Sequence, residues 1–311
     1  MLKQHIQIMQ ELKDKHENIL NLIADRDVVY LDIPVYDNIG DLLIMHGTLK
    51  LFKENNIDVT SMLSCTNFYD NSIEKESVIV FQGGGNLGDL YTNHQYFREE
   101  VIGKFKNNTI IILPQSIYFR SNSNYEKCCN VFKNHSDLHI FTRDVTSYDL
   151  AKQMSENVYL APDLAHQLYP ISAEKCSSQN ESIFIKRDDA ESIFDIYDQD
   201  STDWNKVVKK HKRKTRMIKK LFKLSNFLHI NQFTSNYLAQ IWINHSYTLV
   251  NEAILLFSKY SKVKTDRLHA HILACLMDKR NEVYDNSYKK IFNYIDSWTL
   301  NSSLVEKGTQ T

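Results

Sequence analysis

Arg267 and His269, within VKTDRLHAHILA (263–274), are a pair whose types and spacing suit chemistry on a small anion. An apolar strand pattern runs into a helical pattern here, with Asp266 expected as the N-cap. The first turn of a helix leaves N–H groups unpaired and carries the positive end of the dipole, so phosphate or carboxylate binds there. Arg267 can grip either group bidentately, and His269 can exchange a proton near neutral pH. The competing reading of the pair is a cap beside a packed histidine. His271 points elsewhere on the helix and reads as structural, and a metal reading of H-x-H lacks acids in helical register. No metal is expected.

Other polar residues gather where strands end. SIFIKRDD (182–189) places Lys186 and Arg187 at one such end, where Arg187 is an anion ligand or a surface or domain-fixing residue. FTRD (141–144) places Arg143 at another, with an ion pair to Asp144 or Asp163 as its alternative role. VIVFQGGGNLGDLY (78–91) spells G-x-G-x-x-G through Gly83, Gly85 and Gly88. A dinucleotide fingerprint also needs an acid ending the next strand. That strand, TIIILPQS, ends in Pro114, Gln115 and Ser116, which argues against nicotinamide and flavin binding. The glycines keep a backbone meaning: a turn at Gly83, Gly84 and Gly85 whose N–H groups meet a ligand, beside the Asn86 amide, or a tight turn without one. In NIGDLLI (38–44), Asn38 and Asp41 open a helix, and Asp41 is a candidate base or that helix's N-cap.

The elements that must position these residues alternate strand and helix. Apolar runs at 28–35, 78–82 and 109–115 read as buried strands, with further strands at 58–63, 139–144 and 158–163. Helix-length segments separate most of them, which argues for a parallel sheet covered on both faces, with ligands outside the carboxyl ends of the strands. Residues 1–25 read as one amphipathic helix, 169–181 as a linker, and the EKGTQT tail as frayed. A second strand–helix series begins at 182. The expected architecture is α/β: two Rossmann-like domains, 1–170 and 178–311, about a cleft, with the last helix crossing back onto the first.

The bulk composition excludes several classes. Hydrophobic residues are 42% and charged residues 24% of 311, normal for a soluble globular enzyme. The net charge of −1 selects no nucleic-acid partner. The five cysteines are odd in number and lack C-x-x-C, which fits a reducing cytoplasm better than a disulfide framework or zinc site. The first 27 residues lack the apolar core of a signal peptide, and no run approaches a bilayer span. Residues 206–223 carry ten Lys/Arg with an apolar strip, and 188–203 carry seven acids. The basic helix either lies on an anionic membrane at the inner face of the cell membrane or is a solvated face paired with the acidic stretch. No recognition motif accompanies its charges, so nucleic-acid binding is not expected.

NIGDLLI, FQGGGNLGDLY, LPQSI, FTRDVTS, APD, IKRDD and TDRLHAHILA, in this order and spacing, together resemble the polysaccharide pyruvyl transferase family over roughly residues 28–300. The resemblance implies a glycosyltransferase-B-like fold and transfer of pyruvate from phosphoenolpyruvate onto two hydroxyls of one sugar as a cyclic ketal. It implies that Arg267 and His269 hold the donor against the second domain, with Arg187 as the strand-end arginine and the acceptor near Asn38 and Asp41. No cofactor is expected, phosphoenolpyruvate being a co-substrate and the acceptor a sugar or lipid-linked oligosaccharide of a capsule or exopolysaccharide precursor. In this chemistry His269 is the expected general acid, Asp41 the base, and Lys186, Arg143, Gly83–Asn86, Gln115, Ser116 and Asp163 surround the substrates. Two alternatives stand: a nucleotide-sugar glycosyltransferase of the same architecture, and a non-catalytic sugar- or partner-binding protein.

Overall fold

Parallel strands buried on both faces must be apolar throughout, and the runs VVYL, VIVF and IIIL become the centre of the larger sheet. The computed structural model describes residues 2–173, 180–186, 201–285 and 290–308. The chain runs α1 (Leu2–Asp14), α2 (Glu17–Ile23), β1 (Val28–Leu31), α3 (Ile39–Glu54), β2 (Val59–Leu63), β3 (Val78–Phe81), β4 (Gly84–Gly88) and α4 (Thr92–Lys104). It continues through β5 (Ile110–Tyr118), α5 (Asn122–Lys133), β6 (Leu138–Thr142), α6 (Val145–Ala151) and β7 (Asn157–Leu160). These strands form a seven-stranded sheet ordered β2-β1-β3-β5-β6-β7, with β4 paired to β5.

The second series is β8 (Asn180–Ile185), β9 (Ser201–Thr202), α7 (Trp204–Val207), α8 (Lys212–Phe227), α9 (Asn231–Ser258), β10 (Tyr260–Thr265), α10 (Leu268–Leu276), β11 (Arg280–Val283), α11 (Lys290–Trp298) and β12 (Val305–Lys307). Its five-stranded sheet is ordered β12-β11-β10-β8-β9. Every strand pairing among the described residues is parallel, as the alternation predicts.

One apolar core runs under both sheets, from Val28 and Val80 through Phe141 to Ile185, Val263 and Tyr294. Long-range contacts tie the two series together. His5 of α1 reaches Ser302 Oγ at 2.7 Å and donates to the Cys275 carbonyl at 2.9 Å. Trp298 Nε1 of α11 donates to the Arg143 carbonyl at 2.8 Å. On α9, Asn236 donates to Thr60 O, and Ser246 Oγ meets His46 Nε2 at 3.0 Å. Among the described residues no helix is long and apolar enough to cross a membrane.

Four expectations change. The helix over 1–25 is two helices, because His16 turns inward, donates to Pro162 O at 2.9 Å and accepts from Gln167 at 2.7 Å. The glycine turn is a strand: Gly84–Gly88 pairs with β5, Gly84 opposite Gln115 and Gly88 opposite Tyr118. Part of the tail is ordered, since Val305–Lys307 pairs with β11. The basic segment is broken by a 3-10 turn at Lys209–His211 before α8 begins.

Candidate active site

β10 ends at Thr265, and α10 opens with Arg267, not Asp266, as its N-cap. The reason is local: Thr265 Oγ1 accepts the Arg267 N–H at 2.9 Å, and Asp266 is buried. The Arg267 guanidinium donates from Nη2 to Asp203 at 2.6 Å and from Nε to the Lys186 carbonyl at 3.3 Å. Asp203 is almost wholly buried, so this is a fixed mount and not a surface pair. Two residues on, His269 leaves α10 toward α3. Its Nε2 lies 3.2 Å from Asp163 Oδ2, and Nδ1 faces Gly40, where a Cβ would sit only 2.4 Å away.

Asp163 is the joint between the two strand series. It is fully buried, accepts from Arg143 Nη1 at 2.7 Å and from the Ala165 N–H at 3.0 Å, and faces His269. Burial pushes its carboxyl up, but the charge and hydrogen bond of His269, then Arg143 and the Ala165 N–H, overcome that and hold it below the usual carboxylate range. Arg143 therefore forms the ion pair with Asp163, and its Nε donates to Ser116 Oγ at 2.9 Å. Ser116 in turn donates to Asp144 at 2.7 Å, and Asp144 caps α6.

From the α3 side, Asn38 is the N-cap, accepting the Gly40 N–H at 3.0 Å. Asp41, in the first turn, is thus not the cap. Burial pushes its carboxyl up, while His269, Arg143 and a hydrogen bond with Tyr36 pull it down; the net direction is up. A carboxylate with a raised pKa is a better proton acceptor than an ordinary one.

These residues meet around one cavity of about 420 Å³. Asn38, Asp41, Gly85, Asn86, Ser116 and Arg143 line it from the first series, and Arg267 and His269 from the second. Gly83 and Gly84 are buried instead, Gly83 packing beneath the strand beside Pro114 O, and Gln115 is fully buried. Gln115 donates to the Gln82 carbonyl at 2.8 Å and to Asn86 Oδ1 at 3.2 Å, so it positions Asn86 and does not line the cavity. Lys186 contributes its carbonyl to Arg267 and is not among the lining residues. Arg187 lies outside the described residues, as do Cys176 and most of the acidic stretch. His271 is buried and bonded to Asn281 Oδ1 at 2.7 Å and to Thr299 Oγ1 at 2.9 Å.

Several residues at this site went unnoticed in the sequence. Tyr36, Tyr91, His94 and Trp204 also line the cavity. His94 Nδ1 meets Asp32 Oδ1 at 2.6 Å, and buried Arg98 bridges Asp32 Oδ2 at 2.8 Å to Asn86 Oδ1 at 2.5 Å. Asp32 holds φ 63°, a left-handed backbone unusual for a non-glycine residue. The only readable signal was its place just after the VVYL strand. Asp32, Cys65 and His94 bring ligand atoms within 4.8 Å of one another, the kind of spacing a metal could use. Arg98 already neutralises Asp32, and burial pushes the Cys65 thiol up to about 12, so neither group is set up as a cation ligand.

Comparison with known proteins identifies the family. EpsO of Bacillus subtilis (strain 168) is 38% identical over 298 residues, 93% of this chain and 91% of EpsO. Pyruvyl transferase 1 of Schizosaccharomyces pombe is 27% identical over 88% of this chain and 70% of its own length. A Klebsiella pneumoniae protein of uncharacterised function shares the fold at TM-score 0.64 and 22% identity, over 96% of this chain and 99% of its own. The family model for polysaccharide pyruvyl transferases matches residues 38–288, from the α3 cap past the cavity's α10 wall, and the chain belongs to that family.

Proposed function

We propose that this chain transfers the pyruvyl group of phosphoenolpyruvate onto two hydroxyls of a sugar in a surface-polysaccharide precursor, forming a cyclic ketal and releasing phosphate. The observation that carries the reading is one cavity lined by two mounted guanidiniums, an imidazole and a carboxylate with a raised pKa. In this reading the two sheet-bearing halves are glycosyltransferase-B-like domains and the cavity is their cleft.

Phosphoenolpyruvate presents a phosphate and a carboxylate. Arg143 and Arg267 each spend one bond on a carboxylate and keep further N–H groups for a ligand. The bonds to Asp163 and Asp203 fix the direction of each guanidinium before substrate arrives, which is worth more than a mobile charge. Gly85, without a side chain, leaves the face of Arg143 Nη2 open.

His269 protonates the methylene carbon. Asp163 meets Nε2 and Gly40 packs against Nδ1, so the ring is held from both sides where it lines the cavity. Protonation turns the CH2 into CH3 and leaves an oxocarbenium-like centre at the adjacent carbon. A sugar hydroxyl attacks that carbon and gives its proton to Asp41. Phosphate then leaves, and the second hydroxyl closes the ring as its proton passes to the departing phosphate. Proton transfer of this kind contributes about 10²–10⁴ in rate.

The test uses solvent D2O, phosphoenolpyruvate and a panel of glycosides. Ketal formation yields a methyl group carrying one deuterium together with inorganic phosphate, both read by NMR. Phosphate release with the CH2 retained in an enol ether would refute ketal formation. A thermal shift with nucleotide sugars and none with phosphoenolpyruvate would refute the donor.

A further inference from the structure

α8 turns only part of its surface to the core. Thr215, Ile218, Phe222 and Ser225 are buried, and Thr215 Oγ1 meets His245 Nε2 of α9 at 3.0 Å. Away from that face, Met217, Leu221, Leu224 and Leu228 are exposed at the i, i+4, i+7, i+11 spacing of a single stripe. Beside it, Arg213, Arg216, Lys220 and Lys223 form a second exposed stripe at i, i+3, i+7, i+10. The chain then turns into α9, and Phe227, Ile230, Phe233 and Tyr237 stand out at the corner, both phenylalanines 78% exposed. Eight of the seventeen exposed large apolar side chains among the described residues thus fall within 217–237. The corner itself is pinned. Asn231 is buried and donates to the Asn67 carbonyl at 3.2 Å and to Asn226 Oδ1 at 3.1 Å, and Ser225 Oγ meets Thr234 Oγ1 at 2.5 Å. No Asp or Glu occurs from 204 to 251, a stretch that holds ten Lys/Arg. Among the described residues no cation of α8 pairs with a carboxylate. Glu252, the first acid after Asp203, is already held by Lys210 at 2.8 Å and His211 at 3.3 Å.

We infer that the α8–α9 corner docks on an anionic lipid bilayer, with its apolar side chains at the top of the acyl layer and its cations among the headgroups. A single exposed apolar side chain is ordinary on a folded protein, but a cluster rimmed by charge marks a contact surface. An apolar stripe beside a cationic one is the pattern of a helix that lies in a bilayer interface. The charge decides which partner fits. Two copies joined through this face would set Arg213, Arg216, Lys220 and Lys223 against their equals, with no acid from 204 to 251 to separate them. An anionic headgroup layer attracts each of these cations. Their long stems let the charged ends stay at headgroup level while Leu224, Phe227 and Phe233 reach deeper. The hydrogen bonds of Asn231 and Ser225 hold the corner in place before it meets lipid, so little ordering cost opposes docking.

Co-sedimentation of the full chain with vesicles tests the surface, comparing phosphatidylcholine alone with phosphatidylcholine containing phosphatidylglycerol. The parent should bind the anionic vesicles, less tightly as salt rises, and bind the neutral ones weakly. Phe227→Ser/Phe233→Ser removes two exposed rings and should lower the partition coefficient about tenfold or more. Arg213→Gln/Lys220→Gln/Lys223→Gln should lower it about tenfold or more as well. All five side chains are exposed, so both variants should melt with the parent, and if one melts early the other still decides. Failure of the parent to bind anionic vesicles overturns the inference. Undiminished binding by the serine pair overturns it too, because the apolar corner then takes no part, and so does undiminished binding by the glutamine triple. Sedimentation velocity without lipid covers the other occupant: a dimer that the serine pair dissociates assigns the corner to a second copy and overturns the bilayer. None of the five residues lines the first cavity, so phosphate release from phosphoenolpyruvate with a soluble glycoside should be equal in parent and variants. An inactive parent would count against the proposed reaction and leave the vesicle result standing.

Discussion

Replacing Gly40 by Ala should disable the histidine while leaving the protein folded. A Cβ at position 40 would lie 2.4 Å from His269 Nδ1, 2.7 Å from Cγ and 3.0 Å from Cβ. Ordinary contact needs about 3.5–4.0 Å, so the ring must retreat by about 1 Å. It has little room to do so. Asp163 holds Nε2 from the other side, and Asp163 is itself fixed by Arg143 at 2.7 Å. A misplacement of about 1 Å in a reacting group lowers turnover by about 100-fold, or about 2.7 kcal/mol of barrier.

Stability changes less. Overpacking costs about 1–3 kcal/mol, and exchanging Gly for Ala in a helix returns about 0.5–1 kcal/mol. The assay is phosphate release from phosphoenolpyruvate with the most active of a panel of glycosides. The expected result is kcat down by about 100-fold with KM for phosphoenolpyruvate within about threefold. Gly103→Ala is the control, because its Cβ would meet nothing within 4 Å, and it should leave kcat alone. A Gly40→Ala protein with turnover within about threefold of the parent would refute the claim that the His269 ring at its present position carries the proton.

Other variants test the remaining supports. Asp32→Asn removes the counter-charge of Arg98, both side chains being fully buried, and should cost about 3–5 kcal/mol by urea denaturation; a loss under about 1 kcal/mol would mean the pair is not a structural joint. Arg267→Lys cannot reproduce the paired bonds to Asp203 and the Lys186 carbonyl, so KM for phosphoenolpyruvate should rise about tenfold or more while the fold melts near its usual temperature. Acid should destabilise the protein before the carboxylates titrate. Burial lowers His166 to about 3 and His46 and His271 to about 4, so the unfolded chain takes up these protons first, from about pH 6.5 downward. Their contribution is therefore full above about pH 6.5 and is lost as pH falls toward 4, at about 1.4 kcal/mol per group per unit; a melting temperature flat from pH 7 to pH 5 would contradict it. Asp163, whose carboxyl is held down, has the same sign in a lower window, its stabilisation present above about pH 4 and lost below.

How much of this was legible depends on whether a residue's partner is near it in sequence. The strands VVYL, VIVF and IIIL were readable because burial on both faces leaves a continuous apolar run. GGNLG was not readable as a strand, because β4 is held by pairing to the end of β5 and not by apolar side chains. Asn38, Asp41, Arg143, Arg267 and His269 were found because strand ends and helix starts mark themselves locally. What each does there was not. Arg267 finds Asp203 across 64 positions, His269 finds Asp163 across 106, and Arg98 finds Asp32 across 66. Read singly, Arg143 and Arg267 look like two free cations waiting for an anion. Paired, they are two directed donors of little net charge. That difference changes what should be expected of the site. Its hold on phosphoenolpyruvate must come from orientation more than from field strength, so donor binding should change little with salt.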